Sequence, residues 1–529
     1  DSMRKAVPLV FGLDEVHRRD RRLQLAEYFG SAPVTLRSCE ELPWLLERAG
    51  ATERLHDCLL DIDRFILLHK IDEFELRRHL GPGVQAQAEI GADYLKSLDR
   101  WTAEPGRDQA QVAIAIRRLG AFLLSIGSYA AAETLMRQDL DLAQRLPSPD
   151  APEVAGALNN LAALLHATGR SAEAEPMIRR ALEIRERHNG SSGEDLAVCL
   201  NTLARVISAE GRFREAEALM RRALAIETDR FGSDHPAIAV SLNNLGRTVL
   251  PDGRPEEAGA LFRRALEIEE RHIGRRHPRI AVTLNNLAQA LQDLHRHAEA
   301  EEFMRSALEV DERACGPAHP DVARDLNNLA MLLHETGRTT EAEPLMRRAL
   351  DIDRASLGER HPHVARDLNN LAKLLQGSQR LAEAVPLIRR ALDIDQAVLG
   401  PDHPRLAARM SNLGIVLQDL GRLDEAEPLF RRALEIDERT LGRAHPKVAN
   451  RLNNLALLLQ ASGRMAEAEP LMRQMVEIFL AATRSTGRAH PNLRVAVNNY
   501  VGLLEALNRS EQEIRRTISE LGPEFRVRD

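Results

Sequence analysis

The chain has 529 residues, with 72 Lys and Arg against 79 Asp and Glu, so the formal net charge is −7. This near balance disfavours a dedicated nucleic-acid-binding protein, which carries a basic surplus. Aromatic residues make up only 3% of the chain, which disfavours β-sandwiches and base-stacking surfaces. No run approaches the roughly 20 apolar residues of a membrane span, so we expect no membrane association.

The four cysteines (Cys39, Cys58, Cys199 and Cys315) lie far apart and form no CxxC pair. The spacing therefore predicts neither a disulfide framework nor a zinc site, and it favours a reducing compartment such as the cytoplasm. We expect no metal ion and no other cofactor.

The first hundred residues differ from the rest of the chain, because eight of the 18 aromatic residues lie in residues 1–101. Gly81-Pro82-Gly83 is a natural break. We therefore expect a separate module in residues 1–83, a connecting segment in 84–108, and a different architecture from residue 109 onward.

From residue 109 the sequence repeats itself every 42 residues. His-Pro pairs begin at positions 235, 277, 319, 361, 403 and 445, and Asn-Asn and Gly-Arg pairs follow the same period. Degenerate copies bring the total to about ten units over residues 109–529. We expect the last unit, with the polar segment Glu511–Leu521, to cap the array.

Each unit predicts a pair of helices. In residues 319–360, Pro320 suits the first turn of a helix, where its missing N–H costs nothing. Apolar residues from Val322 to Leu333 recur at helical spacing, and Gly337 marks the turn to a second apolar, helical stripe. A single hairpin cannot bury both stripes, so the hairpins must stack into an all-α solenoid.

The alanine, glycine and leucine positions of residues 327–350 resemble the tetratricopeptide repeat. The longer 42-residue form, with His-Pro-x-x-Ala, Leu-Asn-Asn-Leu-Ala and Glu-Ala-Glu-Pro-Leu, resembles the repeats of kinesin light chain and nephrocystin-3. This resemblance implies a right-handed superhelix whose first helices line a concave surface that binds proteins or peptides.

Three stretches near the N-terminus, Leu25–Phe29, Glu41–Leu46 and Asp72–Leu76, resemble the region that follows the NACHT or NB-ARC domain in STAND-type NTPases. The resemblance implies a helical or winged-helix-like linker module. It also implies that the chain is the C-terminal part of a larger switch protein, or a descendant that lost its motor. The chain itself has no GxxxxGK[ST] phosphate loop, so we expect no nucleotide hydrolysis and no enzyme activity.

Two polar motifs have structural explanations. The His-Pro histidines occur once per unit, too far apart for one metal ion, so we expect each to cap the start of a helix. The Arg-Arg pairs, such as Arg347-Arg348, lie near acidic residues on the same predicted helices. We therefore interpret them as an ion-paired, solvated face.

The Asn-Asn pairs are the candidate binding residues, because an amide offers both a donor and an acceptor to an extended peptide. The alternative, with about equal weight for the second Asn, is a structural bridge between hairpins. Basic residues share this predicted face, so the ligand is expected to be a protein or an extended, acidic peptide. The candidate groove residues are Asn159, Asn201, Asn243, Asn285, Asn327, Asn369, Asn453, Asn498, Arg205, Arg247, Arg324, Arg366 and Lys373.

We therefore expect a non-catalytic scaffold, serving as the sensor or interaction arm of a nephrocystin-3-like or STAND-type NTPase system. The alternative is a stand-alone adaptor resembling the cargo-binding repeats of kinesin light chain. Helical-repeat RNA binding is less favoured, given the net acidity and few aromatic residues. The sequence does not predict an oligomeric state.

Overall fold

The structure is a computed structural model, and it describes residues 15–71, 87–126, 128–189, 193–275, 277–486 and 490–522. Within these ranges the chain forms 25 α-helices and no β-strand. The prediction of an all-α fold is confirmed.

The helices form two compact units. One unit comprises residues 1–164, 177–190 and 351–361, and the other comprises residues 165–176, 191–350 and 362–529. The cavity described below is lined by residues of the second unit only.

Five helices precede the repeats. They are α1 (Glu15–Ser31), α2 (Leu36–Arg48), α3 (Thr52–Leu59), α4 (Ile62–Ile71) and α5 (Gln87–Thr102). The aromatic rings of Phe65 in α4 and Tyr94 in α5 lie 5.5 Å apart, and both contact the ring of Phe122 in the first repeat helix. The Tyr94 hydroxyl donates to the carbonyl of Leu59 at 2.9 Å.

These contacts bear on the predicted N-terminal module. The described residues 15–71 are helical, and they share an aromatic core with α5 and the first repeat helix. The predicted break at Gly81–Gly83 and the motif Asp72–Leu76 lie outside the described residues. The boundary of a separate module therefore stays a prediction.

Twenty helices follow. They are α6 (Gln109–Ser125), α7 (Tyr129–Gln144), α8 (Pro152–Ala167), α9 (Ser171–Asn189), α10 (Glu194–Ala209), α11 (Phe213–Phe231), α12 (Pro236–Val249), α13 (Pro255–Ile273), α14 (Pro278–Asp293), α15 (His297–Cys315), α16 (Pro320–Glu335), α17 (Thr339–Leu357), α18 (Pro362–Gly377), α19 (Leu381–Leu399), α20 (Pro404–Asp419), α21 (Leu423–Leu441), α22 (Pro446–Ala461), α23 (Met465–Thr486), α24 (Leu493–Ala506) and α25 (Glu511–Leu521).

The histidines of the His-Pro motif begin the first helices. The Nδ1 atom of His319 accepts a hydrogen bond from the backbone N–H of Asp321 at 3.1 Å, and Pro320 occupies the first helical turn. The same bond from the backbone N–H two residues ahead is accepted by His235, His277, His403 and His445. Each bond satisfies one of the free N–H groups at a helix start, which confirms the predicted capping role.

Small residues allow the two helices of a hairpin to approach each other. Ala330 in α16 and Met346 in α17 are both completely buried in one continuous apolar core. In two hairpins a glycine replaces this alanine, and the Phe ring from the second helix fills the space. A Cβ atom built on Gly414 would lie only 2.7 Å from the ring of Phe430, so this pair fits only without a side chain on the first helix.

The second helices carry rows of ion pairs. Arg347 bonds Glu343 one turn earlier at 2.7 Å, and Arg348 bonds Glu312 of the preceding hairpin at 2.6 Å. Arg221 and Arg431 make the same contact with the glutamate one turn earlier. The interpretation of these arginine pairs as an ion-paired face is confirmed for these residues.

None of the helices in the described part of the chain is long and apolar enough to cross a membrane. The cysteines Cys39, Cys58 and Cys199 are buried, and Cys315 is partly exposed.

Candidate peptide-binding surface

The first asparagine of four central pairs points into the boundary between consecutive hairpins. Asn243, Asn285, Asn327 and Asn369 are only 3–8% exposed. The Nδ2 atom of Asn285 donates to the Asp325 carboxylate of the next hairpin at 2.8 Å. Asn243 donates to Thr283 in the same way, and Asn327 donates to Asp367. These amides therefore bridge hairpins, which revises the expectation that they face a ligand.

The second asparagine completes this bridge from the other side. Asn328 donates to the Oδ1 atom of Asn285 at 3.2 Å, and Asn370 donates to Asn327 at 2.8 Å. Asn286 and Asn412 make the same bond to Asn243 and Asn369. We call this series, from Asn243 to Asn412, the asparagine ladder. The NH2 group and the oxygen of each first asparagine in the ladder are both hydrogen-bonded within the protein. Along the ladder the asparagines therefore act as structural bridges between hairpins.

The hydrogen bonds differ at four other first asparagines, both within the ladder and beyond it. Asn369 donates to its neighbour Asn370, because the forward position is Arg409, which has no acceptor. Asn453 accepts a bond from Asn499 at 2.9 Å. Asn498 is exposed, while Asn159 is partly buried and donates only to its neighbour Asn160.

The ladder is interrupted between α10 and α12. The Oδ1 atom of Asn201 is buried and has no hydrogen-bond partner within the described residues. Asn244, which stands where the other second asparagines donate backward, makes no side-chain hydrogen bond in that part of the chain. At this boundary the side chains of Asn201 and Asn244 therefore keep amide groups without a hydrogen bond to a described residue. The equivalent asparagines of the ladder are hydrogen-bonded.

A cavity opens at the same boundary. It has a volume of about 310 Å³ and is open to solvent on one side. Its wall is polar toward α10 and α12 and apolar toward α11. The lining residues are His166, Arg205, Ser208, Ala209, Phe213, Met220, Asn244, Arg247, Thr248 and Pro251.

Two arginines without an acidic partner meet in this cavity. Arg205 and Arg247 occupy equivalent positions of successive hairpins, and neither forms an ion pair or a hydrogen bond with any described residue. Burial and the neighbouring Arg247 charge lower the pKa of Arg205 below its usual range. An anion bound between the two guanidinium groups would relieve this repulsion.

His166 adds a neutral polar group to the wall. Its Nδ1 atom lies 3.2 Å from the Ser171 hydroxyl. Burial, with a smaller contribution from the Arg205 charge, lowers the pKa of His166 to about 4. The imidazole is therefore uncharged at neutral pH, and the positive charge of the cavity comes from the two arginines.

The other predicted arginines are already paired inside the protein. Arg324 contacts the carboxylates of Asp311 at 2.9 Å, Asp321 at 2.6 Å and Asp325 at 3.1 Å. Arg366 contacts Asp367 at 2.9 Å. These contacts revise the expectation that both arginines attract a ligand, because carboxylates of the same or the preceding hairpin balance their charge. Lys373 is exposed and makes no ion pair with a described residue.

One feature of the surface was missed in the sequence. Val198, Val240 and Val282 are 44–47% exposed on α10, α12 and α14. They stand seven residues before Arg205, Arg247 and Gln289, and therefore on the same helix face. A comparison of equivalent repeat positions would have revealed these valines, because the next two hairpins have Arg324 and Arg366 at the position of the valine.

These repeats define the class of the protein. The tetratricopeptide repeat model matches residues 111–187, 195–271, 279–355, 326–395, 363–438 and 406–481. The matches cover more than half of the chain, which therefore belongs to the tetratricopeptide repeat family.

Among individual proteins, the chain is similar to nephrocystin-3. It is 33% identical to the Mus musculus protein over 129 residues and 34% identical to the Homo sapiens protein over 131 residues. Each match covers 23% of this chain and 10% of the relative. The chain thus matches about a tenth of the length of these relatives.

Two solved structures are similar to parts of this chain. BtubC (BKLC) from P. vanneervenii is 25% identical, with a TM-score of 0.35, over 45% of this chain and 92% of that one. A putative kinesin light chain from Podosopora anserina is 24% identical, with a TM-score of 0.33, over 37% of this chain and 93% of that one.

Proposed function

We propose that this protein is a non-catalytic scaffold that binds an acidic, extended peptide along its first helices. The peptide is anchored between α10 and α12. The observation that carries the proposal is the convergence of Arg205 and Arg247, both without acidic partners, on one cavity where the asparagine ladder is interrupted. Converging guanidinium groups bind carboxylates and phosphates, and carboxylates are the anionic groups of an unmodified peptide.

The other groups in the cavity favour a peptide over a small anion. The Asn244 amide can pair with a peptide bond, which has both a donor and an acceptor. Phe213 and Met220 provide an apolar wall beside the arginines. An acidic residue followed by an apolar one fits this combination.

The row of exposed valines extends the surface along the array. Val198, Val240 and Val282 lie on the arginine-bearing face of their helices, and successive hairpins repeat this arrangement. An extended chain can place apolar side chains on the valines while its carboxylates face Arg205 and Arg247. Lys373, at the same helix position four hairpins after Arg205, is a further cationic contact.

Selection of a phage-displayed random peptide library on the full chain tests this function. We expect the recovered peptides to contain Asp or Glu beside a large apolar residue. Fluorescence anisotropy with one such peptide then measures the effect of the double variant Arg205→Ala, Arg247→Ala. Charge-assisted hydrogen bonds contribute about 1.5–3 kcal/mol each, so affinity should fall by about two to four orders of magnitude.

The double variant Arg347→Ala, Arg348→Ala is the matched control. It removes the same number of charges from the ion-paired face of α17 and should change the affinity less than twofold. Recovery of peptides without acidic residues, or greater sensitivity of the control, would show that the ligand binds elsewhere.

We further propose that the scaffold acts as the interaction arm of a nephrocystin-3-like or STAND-type NTPase system. The support is the resemblance at Leu25–Phe29 and Glu41–Leu46, together with the nephrocystin-3 similarity. The alternative is an adaptor of the kinesin-light-chain kind. An NTPase reading frame fused to or directly upstream of this coding sequence supports the arm, and its absence supports the adaptor.

A further inference from the structure

Three metal-binding side chains meet where α15 is connected to α16. Cys315 is the last residue of α15, His319 is the N-cap of α16, and Asp321 lies in its first turn. One ligand atom from each, a sulfur, an imidazole nitrogen and a carboxylate oxygen, lie within 4.8 Å of one another. Tetrahedral zinc, with bonds of 2.0–2.3 Å, holds its ligand atoms about 3.3–3.8 Å apart. Closing the site requires side-chain rotations, and the zinc bond replaces the hydrogen bond that His319 Nδ1 accepts from the Asp321 N–H, because a neutral imidazole has one nitrogen lone pair.

The repeats supply an internal comparison. Six junctions spaced 42 residues apart have a His-Pro pair, and among these six only the junction at His319 adds a thiol and a carboxylate. The position of Cys315 is occupied by Phe231, Ile273, Leu357, Leu399 and Leu441, and that of Asp321 by Ala237, Arg279, His363, Arg405 and Lys447. The helix cap explains the histidine at the five junctions where the cap bond is observed, namely those at His235, His277, His319, His403 and His445. It does not explain the cysteine and the aspartate at the His319 junction.

The surroundings orient the ligands and attract a cation. Arg324 bonds one oxygen of Asp321 at 2.6 Å, and the other oxygen lies 3.3 Å from the His319 Nδ1 atom. Such outer contacts fix the direction of a ligating carboxylate. Two more carboxylates, Asp311 and Asp325, contact the same Arg324. Three acidic groups around one arginine leave a local surplus of negative charge.

The backbone holds the three residues on rigid elements. The connection between the two helices is only Gly316-Pro317-Ala318, and Gly316 adopts the left-handed conformation with φ +88°. The thiol and the imidazole are thus held at the ends of two packed helices. Ligands on rigid elements lose little freedom on binding.

We propose that Cys315, His319 and Asp321 bind one zinc ion, with water in the fourth position. A mixed set of thiolate, imidazole and carboxylate suits Zn²⁺, whereas Mg²⁺ and Ca²⁺ prefer oxygen ligands alone. The site is independent of the peptide-binding proposal, because it stands on the junction of α15 and α16 and uses none of the cavity residues.

Titration of the untagged full chain with Co²⁺ and then Zn²⁺ tests the site. We expect one equivalent of Co²⁺ to produce thiolate-to-cobalt charge-transfer absorption, which Zn²⁺ then removes. Cys315→Ser should abolish this absorption, and Asp321→Asn should weaken Zn²⁺ binding at least tenfold. His319→Asn should also weaken it, while retaining a side chain that caps α16.

Cys199→Ser is the matched control, because Cys199 is a buried cysteine away from this junction. It should leave the absorption and the affinity unchanged. Circular dichroism of each variant establishes that the helices are intact. Absence of stoichiometric binding by the wild-type chain, or charge-transfer absorption that survives Cys315→Ser, would overturn the proposal.

Discussion

Asp311 in α15 and Asp325 in α16 face each other across one hairpin boundary, and their side chains are only 1% and 0% exposed. One arginine, Arg324, contacts both carboxylates. The remaining oxygens, Asp311 Oδ1 and Asp325 Oδ2, receive no hydrogen bond from another described residue. A proton held between the two carboxylates satisfies both, as in other close carboxylate pairs.

This pair should make the array less stable as the pH rises. Burial and, to a lesser extent, the Asp325 charge raise the pKa of Asp311 to about 7. Between pH 4 and 7 the folded chain therefore binds more protons at this site than the unfolded chain does. The free energy of unfolding contributed here is fully present below pH 4 and is lost as the pH rises through 7. We expect Asp311→Asn to flatten the fall in stability between pH 5 and pH 8, by on the order of 1–3 kcal/mol.

Urea denaturation at several pH values measures this effect, with EDTA present to exclude metal binding nearby. Asp393→Asn serves as the control, because it removes an exposed carboxylate of α19 and should give a curve parallel to that of the wild type. A wild-type curve without the fall between pH 5 and pH 8, or an unchanged slope in Asp311→Asn, would show that the pair is not protonated.

The asparagine ladder predicts a second stability effect. Asn327→Ala removes the bond to the Asp367 carboxylate and the bond from Asn370 at a buried boundary. A hydrogen bond to a charged group contributes about 1.5–3 kcal/mol and one between neutral groups about 0.5–1.5 kcal/mol, so the free energy of unfolding should fall by about 2–4 kcal/mol. Asn498→Ala, at an exposed position of the last helix pair, should stay within about 0.5 kcal/mol of the wild type. Equal effects of the two substitutions would contradict the ladder.

The cavity arginines should be dispensable for folding. Arg205→Ala removes a charge that has no acidic partner and is repelled by Arg247, so thermal denaturation should show no loss of stability. Arg409→Ala is the matched comparison, because Arg409 is buried and paired with Asp395. It should cost about 3–5 kcal/mol, since Asp395 is left as an uncompensated buried charge. A large destabilisation by Arg205→Ala would mean that this arginine has a structural role.

The close contact of Gly414 and Phe430 predicts a compensating pair of substitutions. Gly414→Ala places a Cβ atom 2.7 Å from the Phe430 ring and should cost about 1–3 kcal/mol through overpacking. Adding Phe430→Met recreates the Ala–Met pair of four other hairpins, such as Ala330 and Met346, and should recover most of this loss. Additive effects in the double-mutant cycle would show that the two residues do not compete for space.

The regular part of the fold could be predicted because its causes are local. The helix starts at His-Pro and the ion pairs within the second helices depend on residues only a few positions apart. The period of 42 residues repeats these local patterns along the chain. His319 and Asp321 are two residues apart, and Arg347 and Glu343 are four apart. Such contacts follow from helix geometry alone.

The candidate binding surface was harder to predict, because contacts between hairpins determine which of its side chains are available to a ligand. Asn285 meets residues 40 and 43 positions later, and Arg324 meets Asp311 on the preceding helix. Neither pairing follows from the position of a residue within its own helix. The sequence therefore predicted that these cations share one helix face, but not which of them pair with acidic residues inside the protein.

The asparagine ladder also has a consequence for how such an array changes length. Each rung joins the first asparagine of one hairpin to the second asparagine of the next, 43 residues later. Duplication or loss of one 42-residue unit within the ladder, wherever its breakpoints fall, brings the same two residue types together again at the new boundary. Recombination between repeats thus preserves the bonds that hold neighbours together. A gain or loss of units within the ladder leaves the interrupted boundary at Asn201 and Asn244 unchanged. The distance between the cavity and the rest of the surface can therefore change in evolution while the cavity itself stays the same.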